Sequence, residues 1–243
     1  MAAKFLTALP VYNEVSHVGP VVDEVLRYSP HVLVVDDGST DGTSQLLAGR
    51  GDIQVIRHEK NRGYGAGLKT AFAYALAEGY DVLVTIDCDG QHQPRLIPDF
   101  VAAAADADIV SGSRYLAHFE GDSVPPVERR KINQMLTDEL NRRLGLHLTD
   151  AFCGFKAYRV EALAQFDIDE LGYAMPIEVW VQATHAGLKI VELPVPLIYL
   201  EEERSFGGAL DNAATRLDYY RQVLERCLAA IEPPSACSSP CGD

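Results

Sequence analysis

Val82-Leu83-Val84-Thr85-Ile86-Asp87-Cys88-Asp89-Gly90-Gln91-His92 is the stretch from which the fold can be read. Val82 to Ile86 are apolar or β-branched, the pattern of a strand buried on both faces of a parallel sheet. Polarity then rises abruptly at Asp87, and Gly90 permits a sharp turn. Two carboxylates one residue apart, at a strand's carboxyl end, suit a hard divalent cation that also holds phosphate oxygens. The plainer alternative is a solvated loop in which Asp and Gly serve as turn formers.

The residues upstream repeat the pattern. Phe5 to Leu9 is a short apolar strand that runs into Pro10-Val11-Tyr12-Asn13-Glu14. A helix with Val18, Val21, Val22, Val25 and Leu26 follows, and Ser29-Pro30 breaks it. His31 to Val35 is a second buried strand, stopping at Asp36-Asp37-Gly38-Ser39-Thr40-Asp41, where Ser39, Thr40 or Asp41 can cap the next helix. Ile53 to Ile56 makes a third strand, and Asn61-Arg62-Gly63-Tyr64-Gly65-Ala66-Gly67 opens an alanine-rich helix. The glycine spacing is not that of a dinucleotide fold, and it follows the third strand. Those glycines let backbone approach a ligand or a neighbouring helix, with Arg62 beside an anionic group. Strands separated by helix-length segments indicate βα units and a parallel sheet with right-handed crossovers. Such sheets bind ligands at the carboxyl ends of their strands, where the clusters at Tyr12 to Glu14, Asp36 to Gly38 and Asp87 to Asp89 all fall.

Downstream, Pro94 to Ala105 reads as a helix with Pro at its start, and Asp108 to Tyr115 as a strand that delivers Arg114 to its end. His118 to Val127 has no periodicity and is expected to be a loop. Glu128-Arg129-Arg130-Lys131 opens a helix with Ile132, Met135, Leu136 and Leu140 on one face. Three basic residues in a first turn oppose the helix dipole, so with Arg114 they suggest an anion site; the alternative is a solvated basic face. Thr149 to Arg159 is expected to form two short strands pivoting at Gly154, with Asp150 aimed at the site. Pro176 to Ala186 is a helix carrying Glu178 and Trp180, and Lys189 to Tyr199 a strand pair broken by Pro194 and Pro196, hence at a sheet edge. Glu201 to Gly208 is a polar loop able to close over a ligand, and Leu210 to Ile231 keeps helical spacing as an amphipathic helix. One domain over residues 1–231 is expected, with a disordered tail over 232–243.

Composition narrows the class. The chain has 243 residues, 47% hydrophobic and 23% charged, as in an ordinary globular protein. A formal net charge of -14 disfavours nonspecific binding to nucleic acid or to anionic headgroups, a local basic patch excepted. No apolar run is long enough to span a bilayer, and the amino terminus lacks the pattern of a secretory signal. Cytoplasmic residence is the default expectation. The five cysteines show no zinc spacing; Cys237 and Cys241 fall in the Pro/Ser-rich tail and are expected to be free thiols, with a disulfide between them as the alternative.

Taken together, these segments resemble the family 2 glycosyltransferases, and within them the dolichyl-phosphate or polyprenyl-phosphate mannosyl- and glucosyltransferases. The resemblance rests on P-V-Y-N-E (Pro10 to Glu14), V-V-D-D-G-S-T-D-G-T (Val34 to Thr43), N-R-G-Y-G-A-G (Asn61 to Gly67), D-C-D-G-Q-H (Asp87 to His92), S-G-S-R-Y (Ser111 to Tyr115) and the C-G-F-K-A segment from Cys153. It implies a GT-A fold, a mostly parallel α/β sheet flanked by helices. It also implies a nucleoside-diphosphate sugar donor of the GDP-mannose or UDP-glucose type, Mg2+ or Mn2+, and inversion at the sugar carbon. Carried over, Pro10, Tyr12 and Glu14 line the nucleotide pocket, Asp37 meets the base or ribose, and Asp87, Asp89 and Gln91 are the metal-binding acid-x-acid-x-Gln pattern. Arg114 with Arg129 or Arg130 holds an acceptor phosphate, and Arg204 lies near the donor diphosphate. The middle residue of the acidic motif is usually small and apolar but is Cys88 here, and no Ser-Lys pair follows Arg204. A lipid acceptor would then be met peripherally, at the inner face of the membrane, or with a membrane partner protein.

The chemistry expected is single displacement of a nucleoside diphosphate by an acceptor oxygen, with a cation on Asp87 and Asp89, and Arg204 or Arg62 nearby, taking up leaving-group charge. A phosphate acceptor needs no strong base; a hydroxyl acceptor does, and Asp150 or Glu178 is then the candidate. Competing readings are a glycosyltransferase with a soluble phosphorylated or hydroxyl acceptor, a non-catalytic nucleotide-sugar binder, and a nucleotidyltransferase, whose G-x-G-x-R loop is missing after the first strand.

Overall fold

The computed structural model describes residues 3–200 and 208–231. Seven strands form one sheet: β1 (Phe5–Val11), β2 (Val32–Asp36), β3 (Gln54–Arg57), β4 (Val82–Thr85), β5 (Ile109–Ser113), β6 (Lys156–Arg159) and β7 (Ile190–Pro194). Their spatial order is β3-β2-β1-β4-β6-β5-β7. Every pairing is parallel except those of β6, which runs antiparallel to both β4 and β5. Eight α-helices accompany them among the described residues: α1 (Val18–Val25), α2 (Thr43–Ala48), α3 (Tyr64–Ala77), α4 (Ile97–Ala103), α5 (Val127–Leu144), α6 (Val160–Leu163), α7 (Met175–His185) and α8 (Ala213–Ile231).

Side-chain alternation along the strands divides the core in two. Leu6, Ala8, Leu33, Val35 and Leu83 join Phe72, Leu136, Trp180 and Leu224 on one face of the sheet. Leu9, Val11, Val32, Val34, Val84 and Ile86 join Val18, Val22, Ile97 and Phe100 on the other. All of β2 is buried, which is why it reads as a continuous apolar run rather than an alternating one. Trp180 is fully buried, and its indole N–H donates to the Ala151 carbonyl at 2.9 Å, so burial leaves no polar group unsatisfied.

Three local readings change. Around Gly154 only β6 forms a strand; Thr149 to Phe155 is irregular because its polar groups bond to side chains instead of a ladder. The expected pair between Lys189 and Tyr199 is one strand, β7, at the sheet edge, with Pro194 as its last residue. The helix expected from Pro94 begins as a 3-10 turn, Pro94–Leu96, before α4. Among the described residues no helix is long and apolar enough to cross a membrane. Residues 201–207 of the loop expected over Glu201 to Gly208, with Arg204, and residues 232–243, expected as a tail, lie outside the described residues.

The antiparallel β6 matters for function. The parallel strands β1, β2, β4 and β5 end on one rim, and β6 begins there. Asp37, Asp87, Arg114 and the approach to Lys156 are thereby gathered along one edge, although they lie far apart in the chain.

Candidate active site

That edge borders a cavity of about 590 Å³. Burial of Cys88 in the core beside Ile86 leaves the flanking Asp87 and Asp89 half-buried on the cavity wall. Gly90 has φ +74°, which turns the chain so that the Gln91 amide donates to Asp89 Oδ1 at 2.9 Å. The Tyr64 hydroxyl donates to Asp87 Oδ1 at 3.0 Å, and His92 Nε2 lies 3.3 Å from Oδ2. Burial pushes the Asp87 carboxyl up. The His92 hydrogen bond and charge, the Tyr64 hydrogen bond and the Lys156 ammonium outweigh it and hold the group below its usual range. Gly154 packs against this carboxylate so closely that a Cβ there would lie 2.1 Å from Asp87 Oδ2.

Among the described residues no cluster of three or more His, Cys, Asp or Glu side chains forms a complete metal cage. The donor set nonetheless fits a hard divalent cation of the kind that uses one or two carboxylates and completes its shell with phosphate oxygens and water. Asp87 and Asp89 supply the carboxylates, and Gln91 lines the same wall.

Pro10, Tyr12, Glu14 and Asp37 also line the cavity. Tyr12 is 45% exposed, an apolar ring held at the rim. The turn after it is fixed from β2's loop: Asn13 N donates to Ser39 Oγ, Thr40 N to Asn13 Oδ1, and Glu14 N to Thr43 Oγ1. Asp37 accepts from the backbone of Arg62 and Gly63 at 2.8–3.0 Å and from His58 Nδ1 at 2.6 Å, so its carboxylate pins the glycine loop. A Cβ on Gly63 would lie 2.3 Å from the Leu171 carbonyl, so its glycine permits close approach to a neighbouring loop. Arg62 itself is exposed, and the cavity wall does not include it.

Another part of the cavity is built around charge. Arg114, at the end of β5, places Nε 2.6 Å from Asp150 Oδ2 and Nη2 2.9 Å from Oδ1. Asn133 from α5 donates to Asp150 Oδ1 at 2.9 Å, and Glu192 from β7 accepts from the Thr149 and Asp150 amides. Burial opposes both charges, yet the pairing outweighs it. Asp150 falls to about 2, and Arg114 rises well above its usual value. Asp150 is fully buried, holds the arginine fork and does not line the cavity. Glu178, the other base candidate, accepts from the Asp169 and Glu170 amides and likewise lies off the cavity wall. Arg129 lines the cavity. Arg130 does not; its guanidinium carbon lies 3.4 Å from the centre of the Tyr115 ring.

Two cations join the site without having been expected. Lys156, at the start of β6, is 3% exposed, donates to the Cys153 carbonyl and sits 5.3 Å over the Trp180 ring; burial holds its pKa below the usual value. Arg216 of α8 is 5% exposed and donates to the Leu210 carbonyl at 2.6 Å. Burial and the neighbouring Arg129 charge lower its pKa. Lys156 follows Gly154 in a recognisable segment, but Arg216 is one polar residue in a helical stripe and carries no local signal.

Two carboxylates, Asp87 and Asp89, and three arginines, Arg114, Arg129 and Arg216, thus line a single cavity. The sequence profile described as Glycosyl transferase family 2 matches residues 7–166. The chain belongs to this family. Undecaprenyl-phosphate mannosyltransferase of Micrococcus luteus is 32% identical over 226 residues, 88% of this chain and 92% of that one. Polyprenol monophosphomannose synthase of Mycolicibacterium smegmatis is 34% identical over 203 residues, 78% of this chain and 76% of that one. In fold, the chain is similar to glucosyl-3-phosphoglycerate synthase of Mycobacterium tuberculosis, solved with Mn2+ and UDP-glucose. The TM-score is 0.70 at 21% identity, covering 93% of this chain and 79% of that one. As a family 2 glycosyltransferase it is a hexosyltransferase with the mostly parallel α/β sheet of the GT-A neighbours.

Proposed function

We propose that this glycosyltransferase moves a hexose, with inversion, from a nucleoside-diphosphate sugar of the GDP-mannose or UDP-glucose type to a polyprenyl or dolichyl phosphate. The observation that carries the reading is the lining of one cavity by both Asp87 and Asp89 and by Arg114, Arg129 and Arg216. Pro10, Tyr12 and Glu14 bind the nucleoside, and Asp37 orders the glycine loop beside it. Asp87, Asp89 and Gln91 hold Mg2+ or Mn2+, which when bound supplies positive charge to the departing diphosphate. Arg204 is assigned to the same diphosphate on the resemblance alone.

The acceptor phosphate is held by Arg114 and Arg129, with Arg216 adding a third cation. Its oxygen forms the bond to the sugar carbon as the bond to the diphosphate breaks, and the electron pair leaves with the nucleotide. A phosphate monoester has a second pKa near ~6 and is mostly ionised at neutral pH, so this attack calls for no general base. The engagement of Asp150 with Arg114 supports that acceptor over a hydroxyl. Orientation by a fork already fixed on Asp150 then contributes much of the rate.

The test is transfer assayed with GDP-mannose and UDP-glucose, each with Mn2+, against a polyprenyl phosphate, 3-phosphoglycerate and a simple alcohol. Product on the lipid phosphate is expected. Product on the alcohol alone, or on none with either donor, would contradict the reading.

A further inference from the structure

A shallow groove lies outside the catalytic cavity, between the chain entering α5 and that helix's first turns. Its apolar walls are Val124, Pro125, Val127 and Met135, and Arg130 and Lys131 edge it. Val124 is 88% exposed and Val127 78%, the highest values among the exposed large hydrophobics of the described residues. Leu116 and Phe119, on the same connection from β5, are also exposed. An acidic chain that leaves this much apolar surface in one place, beside its cations, presents a surface for an amphiphile.

The groove adjoins the acceptor site through a single side-chain stack. Tyr115 lines the catalytic cavity, Arg130 lines the groove, and the guanidinium lies over the ring with its carbon 3.4 Å from the centroid. Arg130 Nη1 is buried and has no hydrogen-bond partner in the protein, a donor left available at the partition. Arg129, one residue earlier, turns to the cavity side. The polarity therefore changes in one step, from arginine-lined cavity to valine-lined groove.

We infer that this groove receives the isoprene units nearest the phosphate of a lipid acceptor. The phosphate lies with Arg114 and Arg129, and the chain leaves past the Tyr115–Arg130 stack over Val124 and Val127. The inference rests on the phosphate-acceptor reading above and deepens it. A small soluble phosphate fills only the cavity and has no use for the groove, whereas each methylene laid on the valines is removed from water.

The test compares equilibrium dialysis of farnesyl phosphate and isopentenyl phosphate, both below their aggregation limits, with the wild-type protein and Val124→Asp/Val127→Asp. Both valines are exposed, so the double variant is expected to fold, and circular dichroism with thermal unfolding checks it. Val124→Ser/Val127→Ser is the second variant. The wild type is expected to bind farnesyl phosphate at least tenfold more tightly than isopentenyl phosphate, and the Asp variant to bring that ratio to within about twofold of unity. A wild-type ratio near one, or a ratio that survives both variants, overturns the groove while leaving the phosphate-acceptor reading intact. Binding of neither phosphate, with nucleotide binding retained, overturns both.

Discussion

The proposed donor and acceptor sides of the cavity are held together by different forces. On the donor side, turns are tied by short-range bonds between neighbouring loops: Asp37 to the Arg62 and Gly63 amides, Asn13 to Ser39 and Thr40. The carboxylates there mostly accept from backbone, in an order that follows the first 92 residues. The acceptor side depends on a buried ion pair, Arg114 with Asp150, braced by Asn133 and by Glu192 from the sheet edge. One side is a set of loops fixed by backbone, the other a cation fixed by a distant carboxylate. Disturbing a donor turn should therefore act locally, whereas removing one acceptor partner should leave an uncompensated buried charge.

Asp150→Asn is the severest way to break that contrast. It leaves Arg114 buried without its anion and is expected to cost about 3–5 kcal/mol in denaturant unfolding, together with a large rise in acceptor KM and little change in donor KM. The acid limb sharpens the point. Asp150 is depressed from 3.8 to about 2, so its contribution is fully present above pH 4 and is lost as pH falls through the folded value. The variant should lack that part of the stability loss between about pH 4 and pH 2. An unchanged acid limb would mean that the pair does not stabilise the fold.

Gly154→Ala probes the point at which the two sides touch. Its Cβ would enter the space of the Asp87 carboxylate, so the acid must shift. Manganese-dependent nucleotide affinity is expected to fall about 10- to 100-fold, as when an outer-shell contact to a ligand is lost. Calorimetric titration checks this, and unchanged affinity would mean that Asp87 does not need its present position. Arg216→Gln should raise acceptor KM about tenfold and leave donor KM alone, the loss of one charge-assisted hydrogen bond. A rise in donor KM instead would move Arg216 to the other side of the site.

The same contrast explains what could be read from sequence. Donor residues lie in contiguous runs at the ends of buried strands, so Tyr12, Asp37, Asp87 and Asp89 were legible as clusters, and the strands themselves followed from β-branched runs. The acceptor side is assembled from residues far apart. Asp150 was noticed, yet its partner decides its chemistry, and that pairing spans 36 residues. Lys156 reaches the rim because β6 runs antiparallel among parallel neighbours, a reversal that no local pattern announces. Arg216 requires the packing of α8, and Arg130 is turned away by its stack on Tyr115 although it follows Arg129 directly.

The most direct measurement is calorimetric titration of GDP and UDP into the wild-type protein and Asp89→Ala, in Mn2+ and in EDTA. The account predicts that one nucleotide binds the wild type at least about tenfold more tightly with manganese, and that this gain disappears in the variant. Equal wild-type affinity with and without the metal, or a gain that survives the loss of Asp89, would contradict it.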